Sequence, residues 1–187
     1  RKNCPNCRGK LEPGQRIHQA CIDPWLDAQQ AKKERAEAKK AKTAKKTERA
    51  ETKRRKEALK KISELEADCR KIIQEIARIR DRHDGCISCH MGPNYDGAWH
   101  GSHYRAHGAC SSLQLHLWNI HKSCAQCNLF KGGNIAEYRP RLVEKIGADR
   151  VEWLDNQPKS QKFSREYLYR FKDVMGRRLR RMRKSAK

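Results

Sequence analysis

Two C-x-x-C pairs, Cys86/Cys89 and Cys124/Cys127, stand 34 residues apart, and they constrain this chain more than any apolar pattern does. Four thiolates at such spacing suit a closed tetrahedral zinc site. A closed site keeps no open coordination position, so it staples structure, and any chemistry must come from the insert it brackets. A third pair, Cys4/Cys7, is followed by His18 and Cys21 in the pattern C-x2-C-x10-H-x2-C. That offers a second zinc site on a segment too short to fold by apolar burial, so the metal would supply the folding energy. Six of the nine cysteines thus fall in C-x-x-C pairs. That usage fits metal binding in a reducing compartment rather than a secreted disulfide scaffold.

Between the two zinc patterns the chain is dominated by Ala, Lys, Glu and Arg. With Asp23 as N-cap and Pro24 in the first turn, the spacing predicts one helix reaching Arg82, since no Gly or Pro interrupts it. Its length would be roughly 88 Å at 1.5 Å per residue. Residues 31–61 carry fifteen Lys and Arg against five Glu, a net of +10, and are polar all round. Further on, Ile62, Leu65, Cys69, Ile72, Ile76 and Ile79 recur at spacings of three and four. That is an a/d seam of under three heptads. The seam fits two partners equally well, a second copy in a homodimer or the chain's own C-terminal part.

The C-terminal residues 157–187 hold twelve Lys and Arg against Glu166 and Asp173, again net +10. Ser164 is placed to cap a helix with Phe163, Tyr167, Leu168, Phe171, Val174 and Met175 on one side. Its basic end offers Arg177, Arg178, Arg180 and Arg181 to phosphates. The whole chain has a net charge of +22 and a mean hydropathy of −1.07, which points to a polyanion partner, most often nucleic acid. No apolar run approaches the ~18 residues of a membrane span. With no signal-peptide pattern either, the expected location is cytoplasmic.

The insert contains "DGAWHGSHYRAHG", read as a short strand ending in a loop, and "LQLHLW", which alternates like a second strand. Asn119, the second cysteine pair, Asn128 and a short helix follow. The expected fold class is α+β. The expected domains are a zinc knuckle at 1–23, a long basic helix with its seam at 24–84, a compact core at 85–156 and a basic helix and tail at 157–187.

The order His103, Asn119, Asn128, with Asn128 directly after a C-x-x-C pair, resembles the HNH (ββα-metal) nucleases. "WHGSHYRAHGA", "NIHKSCAQCN", "KGGN" and "YRPRLVEKIGADRVEWL", with the N-terminal knuckle and basic helix, make nearly the whole chain similar to the NinG (Rap) family of phage recombination nucleases. The resemblance implies a structure-specific endonuclease acting on branched DNA, including Holliday junctions, in the host cytoplasm of a bacteriophage.

Residue chemistry suits that role. A histidine of ordinary pKa is mostly neutral at pH 7 and can accept a proton from water, which makes His103 the candidate general base. Asn119 is expected to fix the loop bearing it. Asn128 offers a carbonyl oxygen to a catalytic Mg2+ or Mn2+. Lys131 stands near for phosphate. The chain departs from the HNH pattern in one respect: Ser102 precedes the base, and His100 stands where an aspartate is usual, so His100 is the expected second ligand. Cys110 and His116 read as structural. Two alternatives compete: a non-catalytic zinc-dependent nucleic-acid-binding protein, and a less selective HNH nicking enzyme.

Overall fold

The computed structural model describes residues 3–186. The polypeptide divides between Leu59 and Lys60 into two units. In the first, an antiparallel bridge between Asn3 and Lys10 and a hydrogen bond from Cys4 N to Gly9 O (2.8 Å) close the N-terminal knuckle. Helix α1 (Ile22–Ala58) follows. It starts at Ile22 with Cys21 as N-cap, so Asp23 lies in the first turn instead of capping it. Pro24 also lies in that turn, where backbone N–H groups have no intrahelical partner and its missing donor costs nothing. No residue of α1 is buried. It is held by helix propensity and by local bonds such as Gln30 Nε2 to Glu34 Oε1 (3.0 Å).

The single helix expected to reach Arg82 ends at Leu59. Lys61 adopts an extended backbone, and its N–H donates to the Glu64 carboxylate at 2.7 Å. That is the backward arm of a capping box, and it starts a new helix, α2 (Ile62–Arg80). Neither Gly nor Pro marks the break. What marks it is the change from an all-polar to an amphipathic sequence, with Glu64 three residues past the cap. The unit boundary accordingly places α2 with the C-terminal part.

Two apolar cores of the second unit lie one on each side of a two-stranded antiparallel sheet, and a third cluster surrounds Cys86, Cys124 and Cys127. Strand β1 (Trp99–His103) pairs with β2 (Ile120–Cys124), Trp99 opposite Cys124 and His103 opposite Ile120. On one side lies α2. A Cβ built on Gly101 would come within 2.7 Å of Gln74 Cα, so only glycine lets the strand cross this close to the helix. Leu65, Cys69, Ile73 and Ala77 of α2 join Leu115, Ile120, Phe163 and Leu168 in this core. The seam therefore packs within the chain, centred on Ile73 rather than on the half-exposed Ile72 and the exposed Ile62.

On the other side, α3 (Ile135–Ile146) and α4 (Ala148–Asp155) pack Tyr138, Leu142, Val151 and Leu154 against Ile87, Tyr104, Cys110 and Leu113. The second strand expected at "LQLHLW" is absent. That stretch makes two 3-10 turns, Ser111–Leu113 and Leu117–Asn119, and β2 begins after it. Its alternating leucines mislead because they feed different cores: Leu113 faces α3 and α4, while Leu115 faces α2.

Ser164 caps α5 (Arg165–Ser185) as expected, its Oγ accepting from Tyr167 N at 3.1 Å. The buried positions of α5 are Leu168 and Leu179, whereas Tyr167 and Val174 of the expected apolar face remain exposed.

A buried carboxylate locks the layers together. Asp81 receives Arg80 Nε and Nη2 at 2.7 Å each, Lys145 Nζ at 2.9 Å and the backbone N–H of Lys122 at 3.1 Å. Burial works to raise its pKa, but the Arg80 guanidinium beside it holds the carboxyl well below the usual range. His121 fits as a neutral ring, with Nε2–H donating to Trp118 O (3.0 Å) and Nδ1 accepting from Arg80 (2.8 Å). Among the described residues no helix is long and apolar enough to cross a membrane.

Candidate active site and metal centres

The two expected metal clusters form. In each of the sets Cys86, Cys89, Cys124, Cys127 and Cys4, Cys7, His18, Cys21, the ligand atoms lie within 4.8 Å of one another. Tetrahedral zinc with Zn–S of about 2.3 Å puts its sulfurs about 3.8 Å apart. Cys89 Sγ and Cys124 Sγ are 3.8 Å apart. Cys86 Sγ accepts from the backbone N–H of Cys124 (3.3 Å) and of Ser88 (3.4 Å), the knuckle arrangement that favours a thiolate. Burial pushes the Cys86 thiol up, but Ser123 and these two N–H groups outweigh it and bring the pKa to about 7. In the N-terminal set, burial likewise opposes ionisation of Cys4, and hydrogen bonds from His18, Cys7 and Asn6 lower it to about 6. His18 donates its Nε2–H to Lys10 O at 2.9 Å, which leaves Nδ1, 3.2 Å from Cys7 Sγ, as the ligand nitrogen. Both sets fit zinc.

His103 ends β1. Its ring Nε2 is 3.1 Å from Gln114 O, and an N–H there fixes the lone pair on Nδ1. Burial is the main reason its pKa is lowered to about 4, with His107 and Arg70 pushing the same way. The His107 ring is 5.9 Å away, and Arg70 Nη1 donates to the Gln114 side chain at 2.5 Å. Gln114 and Arg70 are the residues sequence reasoning missed. Neither lies in a recognisable pattern, because Gln114 reaches His103 through its backbone carbonyl, which any residue provides.

Asn119 is fully buried. It accepts from Arg105 N at 2.8 Å and donates to Arg105 O at 3.0 Å and Leu113 O at 3.1 Å. The loop leaving His103 is thereby tied to the turn entering β2.

Asn128 is half-buried in a π-helical turn, Gln126–Phe130, immediately after Cys127. No hydrogen bond among the described residues engages its amide or joins His103, Asn119 and Asn128 to one another. Strand parity sorts them. His103 shares its face with Ile120, on the α2 side. Ser102 pairs with His121, whose ring meets Tyr138 of α3 at 6.3 Å, so His100 and Ser102 face α3. The loop that follows the Asn128 turn returns on that second side: a Cβ built on Gly133 would lie 3.8 Å from Ser102 Oγ. His100 and the Gly133 end of that loop therefore lie on one face of β1, and the His103 ring sits at the strand end on the other.

The remaining candidates are peripheral. Lys131 is exposed after the π turn. Arg177, Arg178, Arg180 and Arg181 lie along α5, Arg177 paired with Asp173 at 3.0 Å. Cys110 is buried, and the His116 ring meets Trp118 edge-on at 5.2 Å and a tilted Trp153 at 4.9 Å, both structural roles.

The family profile described as "Bacteriophage Lambda NinG protein" matches residues 1–185. The chain belongs to the NinG family. It is 36% identical over 112 residues to Protein ninG of Salmonella phage P22, covering 60% of this chain and 54% of that one. To Protein ninG of Escherichia phage lambda it is 36% identical over 102 residues, 54% of this chain and 49% of the relative. Protein ninG of Enterobacteria phage H19B is 32% identical over 131 residues, 70% and 64%. The matches to the first two span about half the length of those relatives. No solved structure matches this NinG-family chain.

Proposed function

We propose that this NinG-family chain is a metal-dependent, structure-specific DNA endonuclease of the HNH type that cuts branched recombination intermediates such as Holliday junctions. The observation that carries the reading is the clamp of Asn119 on the Arg105 backbone, which fixes the loop behind His103 while Gln114 O fixes its ring.

His103 is neutral at pH 7 and presents Nδ1 as proton acceptor. In the proposed step Nδ1 takes a proton from water as the water oxygen bonds to phosphorus, the P–O3′ bond breaks, and the leaving 3′-oxygen takes a proton from solvent. The products carry a 5′-phosphate and a 3′-hydroxyl. Mg2+ or Mn2+ held by Asn128 and His100 would supply positive charge at the scissile phosphate and the leaving oxygen. An amide oxygen and an imidazole nitrogen would leave the ion's remaining positions to water and phosphate oxygens. The arginines of α5 and Lys131 suit the DNA backbone. A homodimer acting on a two-fold junction would need a surface other than the α2 seam, which is buried in the chain.

A second reading, a zinc-dependent nucleic-acid binder without catalysis, draws support from the placement of His103 and the loop after the Asn128 turn on opposite sides of β1. A less selective HNH nicking enzyme shares the site and differs only in substrate. One assay separates the three. Zinc-loaded protein is incubated with synthetic four-way junction, fork and linear duplex, with Mg2+ or Mn2+, beside a His103→Ala control. Junction-selective cleavage lost in the variant supports the proposal. Binding without cleavage overturns it, and equal cleavage of all three substrates removes its structure specificity.

A further inference from the structure

The π turn that carries Asn128 ends in a rigid apolar tip. Phe130 is 81% exposed, and Leu129 and Ile135 beside it are 59% and 40% exposed. The turn is not a loose loop. Cys127 belongs to the metal cluster, Gly133 N donates to Cys127 O at 2.9 Å, and Asn134 Nδ2 donates to Ser88 O at 2.6 Å in the opposite knuckle. Gly132, Gly133 and Asn134 take left-handed backbones in succession, with φ of 55°, 89° and 50°. That sharp return pushes Leu129, Phe130 and Lys131 outward. π turns of this sort concentrate at functional sites.

An exposed aromatic ring holds apolar surface in water that a ligand could cover. The loop that returns from the tip adjoins the candidate catalytic strand, because a Cβ on Gly133 would lie 4.0 Å from His103 O. Exposed Lys131 follows directly, in a chain of net charge +22. A protein partner is a poor fit in size. A covered Phe buries about 150–250 Å2, and a stable protein interface takes about 800 Å2 per partner. One turn with a single aromatic matches one nucleobase, and the lysine matches its phosphate.

The geometry points to Phe130, backed by Leu129, as a stacking wedge that takes an unstacked base of branched or single-stranded DNA. Apolar side chains inserted at disrupted base steps, and aromatics stacked on free bases, are general devices of DNA recognition. In intact duplex every base is already stacked, so opening a step there costs free energy that a branch point has already spent. The wedge therefore supplies selection for branched over linear DNA. This inference rests on the proposed DNA substrate but not on catalysis.

The test measures binding of full-length, zinc-loaded protein, without Mg2+ or Mn2+, to a four-way junction and to linear duplex. The junction carries 2-aminopurine at the branch. Wild type is expected to prefer the junction and to change the 2-aminopurine fluorescence. Phe130→Ala should lose about ten-fold of that preference together with the fluorescence change, while duplex affinity stays within about two-fold. Phe130→Trp should restore both. An unchanged preference in Phe130→Ala overturns the wedge. So does an equal loss of junction and duplex binding, or a change of oligomeric state, which would make the tip a protein contact. Cleavage assays with Mg2+ or Mn2+ keep the two proposals apart. If wild type shows the fluorescence change but never cuts, the nuclease reading fails and the wedge stands; if Phe130→Ala cuts with unaltered selectivity, the wedge fails alone.

Discussion

The side chain of Asn119 holds the backbone of Arg105 at both ends, Oδ1 accepting from its N–H at 2.8 Å and Nδ2 donating to its C=O at 3.0 Å. Fourteen residues of separation are closed by one buried amide, and the loop after His103 takes its shape from that closure. Asn119→Ala should leave the Arg105 N–H and carbonyl without their partner, while Leu113 O keeps the N–H of His116, and cost about 2–4 kcal/mol. Urea unfolding of zinc-loaded protein measures it. A loss under about 0.5 kcal/mol would mean that the loop is held elsewhere.

The frame of α2 is a second test. Ile73 is buried in the core shared with α5, while its neighbour Ile72 is only half-buried. Ile73→Ala is expected to cost about 2–4 kcal/mol and Ile72→Ala about 1 kcal/mol or less. Both variants should keep the hydrodynamic mass of wild type. The reverse ranking, or dissociation of an oligomer by Ile72→Ala, would restore the seam to an interface between copies.

Metal content should be two zinc ions per chain by elemental analysis, one for each ligand set. Cys124→Ser should lose one ion and the cooperative unfolding of the C-terminal unit, because structural zinc supplies folding energy directly. His18→Ala should lose the other and leave that transition in place. A wild-type content of one ion or none would dismiss at least one cluster.

Acid should weaken the fold through His103. Its folded pKa, about 4, lies below the ordinary 6.5, so between those values the unfolded chain binds the extra proton. Stability is therefore full above about pH 6.5 and falls as pH drops toward 4, by on the order of 2–3 kcal/mol from this group. Comparison with His103→Gln removes the contribution of the zinc ligands, which also protonate in acid. Parallel pH curves for the two proteins would refute the shift, and NMR titration of the ring reads it directly.

Replacing Arg177, Arg178, Arg180 and Arg181 by Gln leaves buried Leu179 in place, so α5 should stay folded. The slope of log affinity against log salt should flatten by about 0.9 for each phosphate that these arginines neutralise. An unchanged slope would assign the DNA backbone to basic residues outside α5.

The sequence alone determined the parts whose physics is local. Cysteine spacing identified both metal sets, since a four-ligand tetrahedron demands particular residue types at particular offsets. Ser164 and the basic charge of α5 were equally legible, because a cap and a net charge need no partner. The attention to Asn119 came from a resemblance; its bonds to Arg105 and Leu113 are what the structure added.

Tertiary structure decided what depends on which surface meets which. The break at Leu59 follows from α2 having a core to join while α1 has none. The alternation of "LQLHLW" suits a strand on paper, yet Leu113 and Leu115 turn to opposite cores and the backbone coils into 3-10 turns. Whether the α2 seam faced a copy or its own chain could not be read from periodicity, which is the same for both; the match of Leu65, Cys69 and Ile73 to Leu168 of α5 and to Ile120 settled it. The environment of His103 was invisible for the same reason. Its ring is held by the backbone carbonyl of Gln114, and a carbonyl leaves no signature in a sequence.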